Sequence, residues 1–90
     1  MRFENKVAIV TGAGQGIGEH YAKALAAEGA AVTIAEINAD NAKRVADEIN
    51  ASGGRAIHLA TDVASEDSCA ECVAETIKAF GGVDFLVNNA

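Results

Sequence analysis

The sequence predicts an α/β fold, a doubly wound parallel sheet with helices on both faces. Three observations carry this prediction. Short apolar runs rich in β-branched residues alternate with longer segments of helical periodicity, in the order βαβαβαβ. The runs are nearly continuous in apolar residues rather than alternating, which fits parallel strands buried on both faces. Glycines follow the helical segments, at Gly29, Gly53-Gly54 and Gly81-Gly82.

The first strand is expected over Lys6–Thr11, with Val7-Ala8-Ile9-Val10 at its centre. A helix follows from Gly16 to Glu28, with Ile17, Tyr21, Ala24, Leu25 and Ala27 as its buried stripe and Gly29 as its stop. The second strand is Ala31–Glu36, where Val32, Thr33 and Ile34 supply β-branched residues. Asn38 or Asp40 caps the second helix, which runs to about Ala51 and turns Ala42, Val45, Ala46 and Ile49 inward. The third strand is Arg55–Thr61. Ser65 caps the third helix, and Glu66 and Asp67 in its first turn favour the helix dipole. That helix ends at Gly81-Gly82, and Asp84–Asn88 forms the fourth strand. The expected strand order is 3-2-1-4.

Size and charge narrow the function classes. Ninety residues allow one domain at most. A net charge of −6 without a Lys/Arg cluster argues against nucleic acid or an anionic membrane as partner. No apolar stretch approaches the ~20 residues that span a bilayer. The polar start Met1-Arg2-Phe3-Glu4-Asn5-Lys6 leads into a strand and does not read as a signal peptide, so a cytoplasmic location is expected.

Cys69 and Cys72 form a Cys-x-x-Cys, a spacing used by redox and metal sites. Cys69, Cys72, Val73, Thr76, Ile77 and Phe80 also share one helical face, which makes both cysteines small core residues. No second ligand pair completes a zinc site. His20 lies on a helix and His58 in mid-strand, without a visible partner set, and both are expected to be structural or surface residues.

The informative motif is Thr11-Gly12-Ala13-Gly14-Gln15-Gly16-Ile17-Gly18. It joins the first strand to the first helix, the layout that holds a dinucleotide pyrophosphate on N–H groups at a helix start. One glycine lets the chain turn off the strand, another lets a phosphate approach the backbone, and a third lets the helix pack close to the sheet. G-x-G-x-x-G spacing fails because position 17 is Ile; the spacing that fits is Gly12-x-x-x-Gly16-x-Gly18. Turns also use glycine without any ligand, so position between strand and helix carries the weight. Together with the element order, it points to a Rossmann-type doubly wound sheet, of which four strands are the N-terminal half.

Glu36 stands at the end of the second strand, 18 residues beyond Gly18. An acid there accepts hydrogen bonds from adenosine ribose hydroxyls. It also repels a 2′-phosphate: unit charges about 4 Å apart interact by roughly 4 kcal/mol at an effective dielectric near 20. Position 15 is Gln and position 37 is Ile, so no cation adjacent in sequence offsets that repulsion. NAD is therefore expected over NADP. The plainer alternative for Glu36 is a solvated acid at a strand end.

The chain resembles the N-terminal part of a short-chain dehydrogenase/reductase. Thr11-Gly12-x-x-x-Gly16-Ile17-Gly18, Glu36, Asp62-Val63 after the third strand and Asn88-Asn89-Ala90 after the fourth carry the resemblance. It covers all 90 residues. It implies that backbone around Gly12, Gln15, Gly16 and Ile17 holds the pyrophosphate, with Gly18 also counted among the cofactor-binding residues. It implies Glu36 for the adenine ribose, the Asp62 carboxylate for the adenine amino group and the Val63 backbone for the ring. Asn89 and Ala90 would line the nicotinamide-side ribose, while Thr11 and Asn88 fix the sheet and loops. Without the resemblance, Asp62 is a turn former and Asn88-Asn89 a strand terminator.

The family's chemistry rests on a Tyr-x-x-x-Lys pair, a Ser and a further Asn. The only tyrosine here, Tyr21, is followed four residues later by Leu25, so these 90 residues hold no catalytic set of that type. Residues 1–90 are therefore expected to be the cofactor-binding segment of a larger subunit. Phe85-Leu86-Val87 would otherwise form an open apolar edge. The implied activity of the whole is interconversion of an alcohol and a ketone on a small molecule, including reduction of 3-oxoacyl thioesters. The implied assembly is a homo-oligomer. A non-catalytic NAD-binding sensor is the alternative. An S-adenosylmethionine methyltransferase is disfavoured by the glycine spacing and Asn88-Asn89-Ala90.

Overall fold

The computed structural model describes residues 2–89. The elements are β1 (Val7–Thr11), α1 (Gly16–Ala27), β2 (Ala31–Glu36), α2 (Ala39–Ala51), β3 (Arg55–Ala60), α3 (Glu66–Phe80) and β4 (Phe85–Val87). All strand pairs are parallel, and the order is β3-β2-β1-β4, as the sequence predicts. β1 sits inside the sheet, with Val7 opposite Ala31 of β2 and Ala8 opposite Phe85 of β4.

Alternation along the central strands splits the core between two faces. Val10, Val32 and Ile34 point to one face, where Ala22 and Ala26 of α1 and Ala42, Val45, Ala46 and Ile49 of α2 cover them. Ile9 and Ala35 point to the other and meet Cys72 of α3. On that second face Thr33 and Thr76, both fully buried, share a 2.7 Å hydrogen bond. Every residue of β1 and β2 is buried, which fits their unbroken apolar sequence. β3 and β4 depart from that expectation: they are the outer strands and stay partly exposed.

Helix ends follow local chemistry. Asn38, not Asp40, caps α2, its side chain accepting from Asn41 N. Ser65 caps α3 by accepting from Ser68 N. Gly81 closes α3 with φ +89°, a conformation that favours glycine.

Two expected helix faces need correction. In α1 the buried residues are Gly18, Ala22 and Ala26, with Leu25 partly covered; Ile17, Tyr21, Ala24 and Ala27 are exposed. The reason is close approach. A Cβ on Gly18 would lie 2.2 Å from the Gly12 carbonyl oxygen, so the sheet-facing side near the turn has room only for very small residues. In α3 the buried residues are Cys72 and Thr76, Cys69 and Phe80 are half-buried, and Val73 and Ile77 are exposed. Here α3 leans on the sheet along a narrow line through Cys72 and Thr76, and the wider apolar stripe extends past it.

Candidate functional site

The glycine turn leaves the C-terminal end of β1. Gly12 has φ +62° and donates its N–H to Ala35 O at 2.9 Å, tying the turn to β2. A Cβ on Gly12 would lie 2.8 Å from Asn89 O, and one on Gly18 would meet the Asn89 side-chain nitrogen at the same distance. Gly12, Gly18 and Asn89 are therefore packed together, and Gly18 serves helix–sheet contact directly. Gly16 also has a positive φ, +59°, and open space where a side chain would project.

The start of α1 differs from the other two helices. Its N-cap, Gln15, makes no side-chain capping bond, whereas Asn38 and Ser65 cap α2 and α3. The opening N–H groups of a helix have no intrahelical acceptors. At α1 they surround exposed Gln15, Gly16 and Ile17. This is a donor set suited to an anion.

Glu36 is not the solvated acid of the plainer alternative: it is 8% exposed. Its Oε1 accepts from Gly14 N at 3.1 Å and its Oε2 accepts from Asn38 N at 3.0 Å. Its own carbonyl accepts from Thr61 N at 2.9 Å, which places the end of β3 beside it. A Cβ on Gly14 would lie 2.4 Å from Glu36 Cγ, so this glycine exists to admit Glu36.

Asp62 and Val63 lie just past β3, both exposed. Asp62 Oδ1 accepts from Ala64 N at 2.9 Å, the turn-forming use open to a strand-end Asp. No partner for Oδ2 appears among the described residues. Asp62 N donates to Ser68 Oγ at 2.9 Å, fixing this loop to α3. At β4 the Thr11 hydroxyl donates to Asn88 Oδ1 at 3.0 Å and accepts from Asn89 N at 3.0 Å, stitching the ends of β1 and β4 together. Ala90 lies outside the described residues.

Sequence reasoning missed two contributors, Gly14 and Arg44. Arg44 of α2 donates to the Gly14 carbonyl at 3.0 Å. It also pairs with Glu19 of α1 at 3.0 Å and with Glu48 at 3.0 Å. Lys23 completes the cluster, 2.7 Å from Glu19 and 2.6 Å from Glu48. Hydrogen bonds from Arg44 first, then Lys23, hold the Glu19 carboxyl down at about 2. The same two cations lower Glu48, Lys23 foremost. A negative charge in the first turn of α1 is thus matched by two cations. The Arg44–Glu48 spacing is visible in the sequence; the reach to Glu19 and Gly14 becomes apparent only once α1 and α2 share a face.

His20 and His58 are exposed, and Tyr21 is 51% exposed on the outer side of α1. Cys69 lies behind the Asp62-Val63 loop, its Sγ 3.7 Å from Val63 O. Burial raises the Cys72 thiol above its ordinary range, with the neighbouring Thr61 and Thr76 hydroxyls pulling the other way.

A parallel 3-2-1-4 sheet with a glycine turn off a central strand places this chain among the nucleotide-binding α/β folds. The sequence matches the short chain dehydrogenase family model over residues 6–90, and the chain belongs to that family. It is 60% identical over 88 residues to an uncharacterized oxidoreductase of Mycobacterium tuberculosis, covering 98% of this chain and 36% of the relative. The crystal structure of a hydroxysteroid dehydrogenase from Escherichia coli superposes with a TM-score of 0.97 at 45% identity, over 99% of this chain and 38% of that one. A 7α-hydroxysteroid dehydrogenase complexed with NADH and 7-oxo glycochenodeoxycholic acid gives 0.94 at 44% identity, over 97% and 34%. The chain spans little more than a third of the length of these relatives.

Proposed function

We propose that this chain is the cofactor-holding segment of an NAD-dependent oxidoreductase that interconverts a secondary alcohol and a ketone. The observation that carries the proposal is the uncapped start of α1 beside a buried, backbone-anchored Glu36. The N–H groups of Gln15, Gly16 and Ile17 would hold the pyrophosphate, while Gly12, whose own N–H is given to Ala35 O, would shape the turn beneath it. Glu36 would accept from the adenine ribose, with Asp62 and Val63 at the adenine and Asn89 and Ala90 at the nicotinamide-side ribose. NAD supplies the hydride acceptor, and NADH the donor, of such a reaction.

The residues present fit that group. Each carboxylate oxygen of Glu36 accepts one backbone N–H and retains acceptor capacity for a ribose hydroxyl. Asp62 keeps one oxygen beyond its own turn bond. Arg44, the cation nearest the turn, is committed to Glu19 and Glu48 and offers no unpaired charge to a 2′-phosphate. The carbonyl substrate and the proton-transfer groups belong to the rest of such a protein; 7-oxo glycochenodeoxycholic acid in the relative's complex makes a hydroxysteroid one substrate to test beside 3-oxoacyl thioesters. The test is titration of the full-length gene product with NADH and NADPH by nicotinamide fluorescence. NADH is expected to bind more than tenfold tighter, since half of a ~4 kcal/mol repulsion already exceeds the 1.4 kcal/mol of a factor of ten. Tighter NADPH than NADH would refute the role given to Glu36.

A further inference from the structure

We propose that Arg44 is a positioning residue that aims the Gln15 N–H at the ligand. The inference rests on the cofactor reading above and adds a residue outside the turn to it. Its basis is peptide geometry. The Gly14 carbonyl and the Gln15 N–H belong to one peptide unit, and the backbone contains no cis bond among the described residues. In a planar trans peptide these two groups point in opposite directions. Arg44 Nη2 holds the Gly14 oxygen at 3.0 Å from the α2 side. The Gln15 N–H is therefore turned away from α2, toward the exposed start of α1.

The preceding peptide is fixed as well. Gly14 N–H donates to Glu36 Oε1, so both peptide groups that flank Gly14 Cα are held by side chains of other elements. Gly12 and Gly16 have positive φ, and a turn with this freedom has other conformations open to it unless something outside restrains it. Arg44 can act as that restraint because it is itself restrained. Its guanidinium is forked between Glu19 and Glu48, one on each helix. A planar guanidinium can serve all three acceptors at fixed angles, which an ammonium cannot. The same contacts cancel the charge of Glu19 close to the proposed pyrophosphate.

The experiment compares ligands with and without a pyrophosphate. In the full-length gene product, NADH is titrated by fluorescence, and ADP and adenosine are measured by competition. Arg44→Met is expected to weaken NADH and ADP about tenfold, the worth of one oriented charge-assisted bond, and adenosine less than twofold. Arg44→Lys keeps the charge but not the fork, and is expected to stay about threefold weaker than wild type for ADP. Equal losses for all three ligands would show general destabilisation and overturn the proposal. Full recovery in Arg44→Lys would show that charge alone matters and would also overturn it. Unchanged ADP binding in Arg44→Met refutes the positioning role alone, whereas a wild-type protein that binds neither NADH nor ADP refutes the cofactor reading beneath it. Should Arg44→Met not fold, the ADP-to-adenosine comparison in Arg44→Lys decides.

Discussion

Replacing Gly18 by alanine tests whether close approach, rather than backbone conformation, dictates the glycine turn. Gly18 is an ordinary helical residue, so alanine there gains helix propensity and meets no conformational penalty. The obstacle is steric. Its Cβ would sit 2.2 Å from the Gly12 carbonyl oxygen and 2.8 Å from the Asn89 side-chain nitrogen, where ordinary contact begins near 3.4 Å. The Gly12 oxygen is backbone at the end of a buried strand and cannot swing aside. α1 would have to lift off the sheet by about an ångström, disturbing its packing through Ala22 and Ala26. Overpacking of this kind costs about 1–3 kcal/mol, and a rigid backbone obstacle puts Gly18→Ala at the upper end. Gly16→Ala is the internal control. It has φ +59° and nothing within 4 Å of the new methyl, so its cost is the left-handed backbone penalty of about 1–2 kcal/mol. Urea melts of the full-length gene product are expected to rank Gly18→Ala below Gly16→Ala in stability. A Gly18→Ala protein as stable as wild type would refute the close-approach account of α1.

Three further perturbations probe other parts of the site. Glu36→Ala removes the acceptor for Gly14 N and Asn38 N, leaving a buried N–H unmet at a cost of about 1–3 kcal/mol, and it is expected to reduce the NADH-over-NADPH preference; an unchanged ratio would refute the charge argument. Glu19 titrates at about 2 in the folded chain against an ordinary 4.5, so its contribution is complete above pH 4.5 and is lost as the pH falls toward 2. Glu19→Gln should therefore flatten the stability loss between pH 4.5 and 2 and change stability at pH 7 by about 1 kcal/mol or less, because its partners are substantially exposed; parallel stability curves for the two proteins would refute this. In the buried hydroxyl pair Thr76 donates to Cys72 O at 2.7 Å, so the proton between Thr33 and Thr76 comes from Thr33. Thr76→Val strands the Thr33 hydroxyl and should cost about 1–3 kcal/mol, more than Thr33→Val, which spares the Thr76 bond; equal losses in denaturant melts would count against the assignment.

What was legible in the sequence, and what was not, divides along one physical line. Signals fixed by local backbone chemistry read directly: the cap Ser65, the αL stop at Gly81 and the buried runs of β1 and β2, with the cap of α2 narrowed to Asn38 or Asp40. Signals that depend on how closely two elements approach did not. Hydropathy ranks Ile17 and Tyr21 above Gly18 and Ala22, yet at Gly18 the backbone of the turn lies too near for any side chain, and the buried stripe runs through the small residues Gly18, Ala22 and Ala26. Val73 and Ile77 misled for a related reason, since apolar character records what a side chain tolerates, not which element faces it. Arg44 was invisible because its acceptors, Gly14 and Glu19, are brought to it by the packing of α1 beside α2. Gly14 looked like one more turn glycine, although its missing side chain is where the body of Glu36 passes.

That last contact changes what the acid at the end of β2 does. An acid present only to recognise ribose hydroxyls could stand in solvent and wait for its ligand. Glu36 is buried, with Oε1 on the glycine turn and Oε2 on the loop that starts α2. It therefore orders both segments before any ligand arrives, and its carboxylate keeps a defined direction because two backbone donors fix it. The turn that would hold the pyrophosphate and the acid that would hold the ribose are joined by the Gly14–Glu36 bond, and Arg44 braces the other side of the same residue. Ordering entropy that a flexible turn would lose on binding has been lost already on folding, so this brace would contribute to the affinity of the proposed site without touching the ligand.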